Sequence, residues 1–398
     1  MSVLSVSRTR AIKAALSEYC NRGKILHNKT NLPATDTSGF TQHKLQLLHV
    51  VRRYGPVGGM ERYVWELTLQ LKQLGYPVTV VCERCHVEKP EGISVYELGE
   101  VAQRPSWVAA LRFDWRVVRW LAANPQADRL IHSHERISSH DITTFHSPPF
   151  ATVFEKRWWK LISLRVAMKL FLERRELKTA RYIVPNSYFI KQQLAHYYPE
   201  MAHKLTDPVI PGVETGTLRE PRSVPGVGGV IGFVGKEWKR KGLPLAVAIV
   251  KQLRRTRPDL KFIVVGPAIA DVQHLFADWQ DGYVLQGWRD KAHYAEFDVL
   301  LHPAKAEPYG MVISEAMAAK VPVVISDVCG AAAHVTAAAG AVLPLVAPID
   351  MWVDALEQQL KRSEAVPQFK HSWREVAQEY ENLYLGCQAQ NTRSGNPL

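Results

Sequence analysis

The sequence predicts an α/β protein built from two doubly wound parallel-sheet domains, and three observations carry that reading. At 398 residues the chain exceeds one ordinary core, so two domains of about 150–200 residues are expected. Residues 45–82 and 229–266 each run strand, glycine-bearing loop, helix, strand, which is the opening of a sheet whose helices cross over its faces. Between them lies GTLREPRSVPGVGG, a Gly- and Pro-rich stretch of linker character. The division that follows is a basic flexible segment over 1–44, a first domain over 45–215, a linker over 216–228, a second domain over 229–372, and a helix over 373–398 that returns to the first domain before a short tail.

Composition narrows the partners. Fifty Lys and Arg against 38 Asp and Glu give a formal charge of +12, which suits an anionic membrane, nucleic acid or an anionic substrate. Neither aromatic-interleaved nucleic-acid motifs nor a recognition-helix pattern is evident, so nucleic acid is not expected as a partner. No run of about 18 apolar residues offers a membrane span, and the start shows no apolar core followed by a cleavage site, so a cytoplasmic location is expected. Five cysteines in so long a chain fit a reducing compartment. Cys82-Glu-Arg-Cys85-His86 matches a haem-attachment spacing, but it closes an apolar strand, and zinc would need a second ligand pair that the sequence lacks.

In chain order, residues 1–44 are basic and polar, and 7–20 have the pattern of a short amphipathic helix. A flexible tail is the preferred reading over a transit segment or a membrane contact. Residues 45–51 form the first strand. RRYGPVGG then leads into a helix from Met60 to Leu74, ended by Gly75. Gly58 and Gly59 at the helix start offer bare backbone to an anion. Residues 77–82 form a strand and 107–123 a helix. Leu130-Ile-His-Ser-His-Glu135 is a strand ending in polar residues, and ligands of open α/β sheets bind beyond the carboxyl ends of strands. His134 falls there, while His132 points into the sheet. His146, after Thr143-Thr144-Phe145, is a second and weaker cleft candidate.

Residues 153–178 hold eight Lys or Arg, the adjacent Trp158 and Trp159, and many large apolar residues. Such a helix either lies in a bilayer interface or packs on the domain with a solvated basic face. Ser187 is a plausible N-cap for the helix 188–196, and 209–213 reads as a strand end before the linker.

The second half opens with Gly229-Val-Ile-Gly-Phe-Val-Gly235 as strand and KEWKRKG as loop. A helix over 243–255 and a strand over 260–265 follow. Residues 295–327 then run strand, loop, helix, strand. Glu307 lies in the loop, Glu315 is expected in the first helical turn, and Gly310 stands between them at the helix start. Free N–H groups and the positive end of the helix dipole make a seat for a diphosphate. The two carboxylates cannot bind phosphate, but they accept hydrogen bonds from hydroxyls on either side of it. That pattern describes a nucleotide-sugar site. From Ser372 the last helix carries apolar residues at 373, 376, 377, 380 and 384.

EPYGMVISEAMAAKVPVVISD, with its Glu-x7-Glu spacing, resembles the donor motif of the family four glycosyltransferases, whose GT-B fold sets two Rossmann-like domains across a cleft. The resemblance spans about residues 45–387. It implies a retaining hexosyltransferase that moves a hexose from a nucleotide diphosphate sugar to a hydroxyl of a glycan or glycolipid. It implies that Glu315 receives the ribose and Glu307 the sugar hydroxyls, and that the N–H groups of Gly310, Met311 and Val312 meet sugar and phosphate. Arg240 and Lys241, in the family's basic pair before Gly242, would neutralise the departing diphosphate. Gly58, Gly59 and Gly235 would face the donor, Trp288 would stand near the base, and His134 would orient the sugar. No Asp-x-Asp motif occurs in a matching context, so no metal or other cofactor is expected. Ala304 replaces a common Ser, and Val328-Cys329-Gly330-Ala331 replaces the usual Gly-Gly-acid, which leaves the donor sugar open.

The basic, tryptophan-bearing stretch 153–178 is similar to its counterpart in transferases of the lipopolysaccharide core, which work peripherally at the cytoplasmic membrane on a phosphorylated glycolipid. A GT-B epimerase is the rival that shares the donor site. A non-enzymatic basic binding protein would explain the charge but not two glutamates beside Lys241.

Overall fold

The computed structural model describes residues 45–102, 104–153, 163–289 and 292–394, with side chains through 389. The expectations for 1–44 and for Trp158 and Trp159 lie outside the described residues.

Two six-stranded, wholly parallel sheets organise the chain. The first is built from β1 (Gln46–Val50), β3 (Val78–Cys82), β5 (Ile93–Glu97), β6 (Arg129–Ser133), β7 (Ile142–Phe145) and β8 (Tyr182–Pro185), in the order β5-β3-β1-β6-β7-β8. The second contains β9 (Gly228–Val234), β10 (Asp259–Val265), β11 (Tyr283–Gly287), β12 (Val299–His302), β13 (Val323–Ser326) and β14 (Gly340–Leu343), in the order β11-β10-β9-β12-β13-β14. Two-residue strands β2 (Arg53–Tyr54) and β4 (Arg84–Cys85) pair beside the first sheet. In each sheet the first strand is central and the chain winds outward from it in both directions. The order therefore reverses between β1 and β6 and between β9 and β12, and crevices open at the carboxyl ends of those pairs.

Continuous apolar runs such as Val299-Leu-Leu and Val323-Val-Ile suit strands covered on both faces. Helix α1 (Gly59–Gln73) and the last helix, α9 (Trp373–Ser394), cover one face of the first sheet. Leu67 and Leu71 there join Val376, Tyr380 and Tyr384 in one core. Phe113 and Val117 of α2 (Ser106–Ala123) cover the other face. Helices α3 (Leu164–Thr179) and α4 (Tyr188–Tyr197) close the β8 edge. In the second half α5 (Leu243–Leu253), the one-turn α6 (Ile269–Val272) and α8 (Ile349–Leu360) pack on one face and α7 (Met311–Ala318) on the other.

One strand expectation is revised. Residues 209–213 are extended but belong to no strand, because Pro208 and Pro211 have no N–H to give a ladder. Val209 keeps a backbone bond to Pro185 O at 3.1 Å, and Val213 N–H donates to His371 O at 2.7 Å. In the described part of 153–178, α3 is anchored by a buried carboxylate. Glu173 accepts from Phe150 N–H, Tyr198 OH and Arg136, each at 2.7 Å. Leu164 and Phe171 face outward. Among the described residues no helix is long and apolar enough to cross a membrane.

Candidate functional site

The loops that carry Gly58, Gly59 and His134 follow β1 and β6, those that carry Arg240, Lys241, Glu307 and Gly310 follow β9 and β12, and Trp288 follows the edge strand β11. After β12 the chain enters the loop 303–310, and after β9 it enters 236–242. The two loops are tied together, since Lys305 N–H donates to Arg240 O at 2.8 Å. Gly242 caps α5 at φ +82°, and a Cβ there would lie 1.9 Å from Pro303 O, so a side chain would push the loops apart. Gly310 caps α7 at φ +100°, which only glycine adopts freely.

This packing gathers charge around Glu307. Its Oε2 lies 3.0 Å from Lys241 Nζ, 3.5 Å from Arg240 Nη1 and 3.4 Å from His302 Nε2. Burial alone would raise the Glu307 carboxyl, but Lys241, His302 and Arg240 outweigh it and hold the group well below the usual carboxylate range. Glu307 is therefore an anion wherever the protein is folded. Arg240 also donates to Ala306 O at 2.5 Å and pairs with Glu237. A Cβ on Gly235 would fall 2.2 Å from Lys241 Cδ, so the end of β9 lies against the lysine stem. Gly330 N–H donates to Glu307 O at 2.9 Å and Ala331 N–H to Tyr309 O at 2.8 Å. The unusual Val328–Ala331 segment thus braces the Glu307 loop from behind.

Glu315 lies one turn into α7 rather than in its first turn. Its Oε1 accepts from Arg62 Nη1 at 2.8 Å and its Oε2 from Tyr294 OH at 2.5 Å. Arg62 belongs to α1, just after the Gly58–Gly59 start, so this ion pair joins the two halves. Both side chains are partly exposed, and such a pair contributes about 0.2–1 kcal/mol. A second tie is Ser187 Oγ, which accepts from Ile190 N–H as the cap of α4 and donates to Pro308 O at 2.6 Å. Met311 packs against the cores of both halves, and Val312 against the second alone. Trp288, just past β11, is 63% exposed.

On the opposite wall His134 is 5% exposed, with one ring nitrogen 3.2 Å from His49 and the other 3.0 Å from His146. Burial drives both His49 and His146 down to about 3 and holds His134 well below the ordinary value, so the row is neutral near pH 7. His146 is the partly exposed end of this row. Behind it, His132 bonds Thr144 Oγ1 at 2.7 Å and Tyr384 OH at 2.8 Å, which ties the sheet to α9. His49, His132 and His134 have ligand atoms up to 4.8 Å apart. His49, His134 and His146 are linked as a hydrogen-bonded row.

Sequence reasoning did not reach Arg62, Tyr294 or His302. His302 carried a faint signal as the polar last residue of an apolar strand. Arg62 and Tyr294 carried none, because their roles rest on contacts with Glu315.

Two family models match the chain: Glycosyltransferase Family 4 over residues 57–215, and Glycosyl transferases group 1 over residues 228–362. No curated protein matches by sequence. Among solved structures, WaaG, a glycosyltransferase involved in lipopolysaccharide biosynthesis, is similar at TM-score 0.69 and 18% identity, covering 86% of this chain and 98% of its own. The lipopolysaccharide outer core galactosyltransferase WaaB matches at TM-score 0.56 and 15% identity, over 88% of this chain and 100% of its own. Anabaena Alr3699/HepE in complex with UDP and glucose matches at TM-score 0.59 and 14% identity, over 85% and 99%. At these identities the structures speak for the fold, and the two models, which together span most of the chain, speak for the family. The chain belongs to the family four glycosyltransferases, and its fold is GT-B.

Proposed function

We propose that this glycosyltransferase moves a hexose, with retained anomeric configuration, from a uridine diphosphate sugar to a hydroxyl of an anionic glycolipid such as the lipopolysaccharide core. The observation that carries the donor assignment is the convergence of Lys241 and Arg240 on Glu307 beside the Gly310 start of α7. Breaking the bond between sugar and phosphate leaves charge on the diphosphate. Fixed cations and helix N–H groups stabilise that charge more in the transition state than in the bound donor. Lys241 and Arg240 take this role, with the N–H groups of Gly310, Met311 and Val312, and the reading requires no metal ion. Glu307, kept ionised, accepts hydrogen bonds from the sugar hydroxyls, and Glu315 receives the ribose.

Gly58, Gly59 and Gly235 leave room for the phosphates, and Trp288 stands where the base would rest. For the histidine we amend the expectation that His134 touches the sugar. It is enclosed between two other rings, so His146 is assigned the contact and His134 the support behind it. The diphosphate oxygen itself receives the acceptor proton. The uridine nucleotide and the acceptor class are supported by likeness to WaaG, WaaB and HepE. The +12 charge supports an anionic acceptor and peripheral work at the cytoplasmic face of a membrane.

Lys241→Ala tests the donor site. Turnover with a UDP-hexose, followed as UDP release, should fall by about 2–4 kcal/mol of transition-state stabilisation. An unchanged rate refutes the assigned role. Product that forms equally well without any acceptor would favour an epimerase.

A further inference from the structure

Glu315 is assigned to the ribose, yet both its carboxylate oxygens are engaged, one by Arg62 at 2.8 Å and one by Tyr294 at 2.5 Å. A ribose diol gripped by both oxygens competes with these partners for the carboxylate's lone pairs. Tyr294 precedes β12 in the same half and is half-buried there. Burial first, then Glu315, pushes its hydroxyl well above the ordinary value, so it remains a donor able to bond a ribose oxygen instead. Arg62 differs. It comes from the other half, in the first turns of α1, and reaches α7 near its start. Its guanidinium therefore joins the first turn of α1 to the second turn of α7, two helices that both have a glycine cap.

Once the ribose holds Glu315, the ion pairs of Arg62 with Glu66 and Glu214 remain among the described residues, each longer at 3.9 Å. The strongest anion in reach is then the diphosphate on those helix starts. In the second half Lys241 and Arg240 divide their charge between that diphosphate and Glu307, which lies 3.0 Å from Lys241 and 3.5 Å from Arg240, so a further cation from the first half still has anion to meet. A planar guanidinium matches two phosphate oxygens in a way a lysine cannot.

We propose that Arg62 is a donor-specificity residue which the ribose exchanges off Glu315 and which then closes on the donor's diphosphate from the first half, so that ribose and phosphates are recognised as one unit. The proposal rests on the donor-site reading above. A nucleoside without phosphates competes with the guanidinium for Glu315 and offers it no new partner, whereas a nucleoside diphosphate offers one. The exchange also brings the first half onto the donor only when both parts of the nucleotide are present.

The test is isothermal titration calorimetry on the full chain with uridine and UDP, and with adenosine and ADP as a second pair. It compares wild type, Arg62→Gln and Arg62→Lys, each first checked for a cooperative thermal transition. In Arg62→Gln the preference for diphosphate over nucleoside should fall about tenfold, through weaker diphosphate binding with nucleoside binding equal or tighter. Arg62→Lys should recover part of that preference, since it keeps charge without the fork. A preference unchanged or raised in Arg62→Gln overturns the proposal and leaves Arg62 as a cover over Glu315. If wild type binds neither UDP nor ADP, the donor-site reading itself fails. If wild type binds one of them and the preference does not move, only the role of Arg62 fails.

Discussion

Gly242 shows how tightly single atoms hold this site. Its backbone is left-handed at φ +82°, and a Cβ would meet the carbonyl of Pro303. Gly242→Ala should therefore cost about 2–4 kcal/mol in urea unfolding, from the conformation and the collision together. A loss below 1 kcal/mol would mean that the loop yields easily and that Lys241 is not rigidly placed. At this scale the sequence was legible wherever function depends on spacing within one loop. Glu307, Gly310, Arg240 and Lys241 lie in two short segments, and their patterns imply a charged seat at a helix start. Arg62 was not legible, because its partner Glu315 is 253 positions away and only the folded chain joins them. His134 was read from its place at the end of a strand and from the family resemblance, neither of which says whether another ring stands in front of it. His146 does.

Among elements, α9 is the clearest case of local signals that agree with tertiary packing. Ser372 Oγ accepts from Glu375 N–H at 3.2 Å, while Glu375 accepts from Ser372 N–H at 2.5 Å, which closes a reciprocal cap at the helix start. Ser372→Ala should lower stability by about 1 kcal/mol in urea titration and leave UDP affinity unchanged, since the cap is remote from the donor residues. The apolar positions 373, 376, 377, 380 and 384 read from the sequence are all buried against the first sheet. The stretch 209–213 misled because its apolar residues suggest a strand while two prolines deny it a ladder. Along 153–178 the number of basic residues hid the role of Glu173, whose carboxylate is buried and holds α3 to the loop at Phe150.

For the molecule as a whole, the buried titratable groups set a pH profile of stability. His49 and His146 are held to about 3 and His140 to about 4 by burial, against 6.5 when exposed, and burial holds His132 and His134 well below the ordinary value too. Below pH 6.5 the unfolded chain binds protons that the folded one refuses, so stability falls as pH falls. Glu135, Glu176 and Glu379 act the other way. Burial lifts each to about 7 from 4.5, so the folded chain keeps protons that the unfolded chain releases, and stability falls as pH rises between those values. Five histidines outweigh three carboxyls. The urea midpoint should peak near pH 6.5, decline gently toward 4.5 and drop more steeply below it, where only the histidines of these two sets still act. A midpoint still climbing above pH 8 would contradict these burials. The two parallel sheets were legible because each begins with the same opening. The manner in which the halves join was not, since Ser187–Pro308 and Arg62–Glu315 link residues with no shared pattern. The return of α9 to the first sheet has a consequence for synthesis. At about 5–20 residues per second, the ribosome needs roughly 10–35 s between releasing Thr215 and the last turns of α9. Throughout that interval Leu67, Leu71 and Tyr63 lack their cover, so the nascent first half leaves the exit tunnel with an adhesive apolar flank awaiting the final segment.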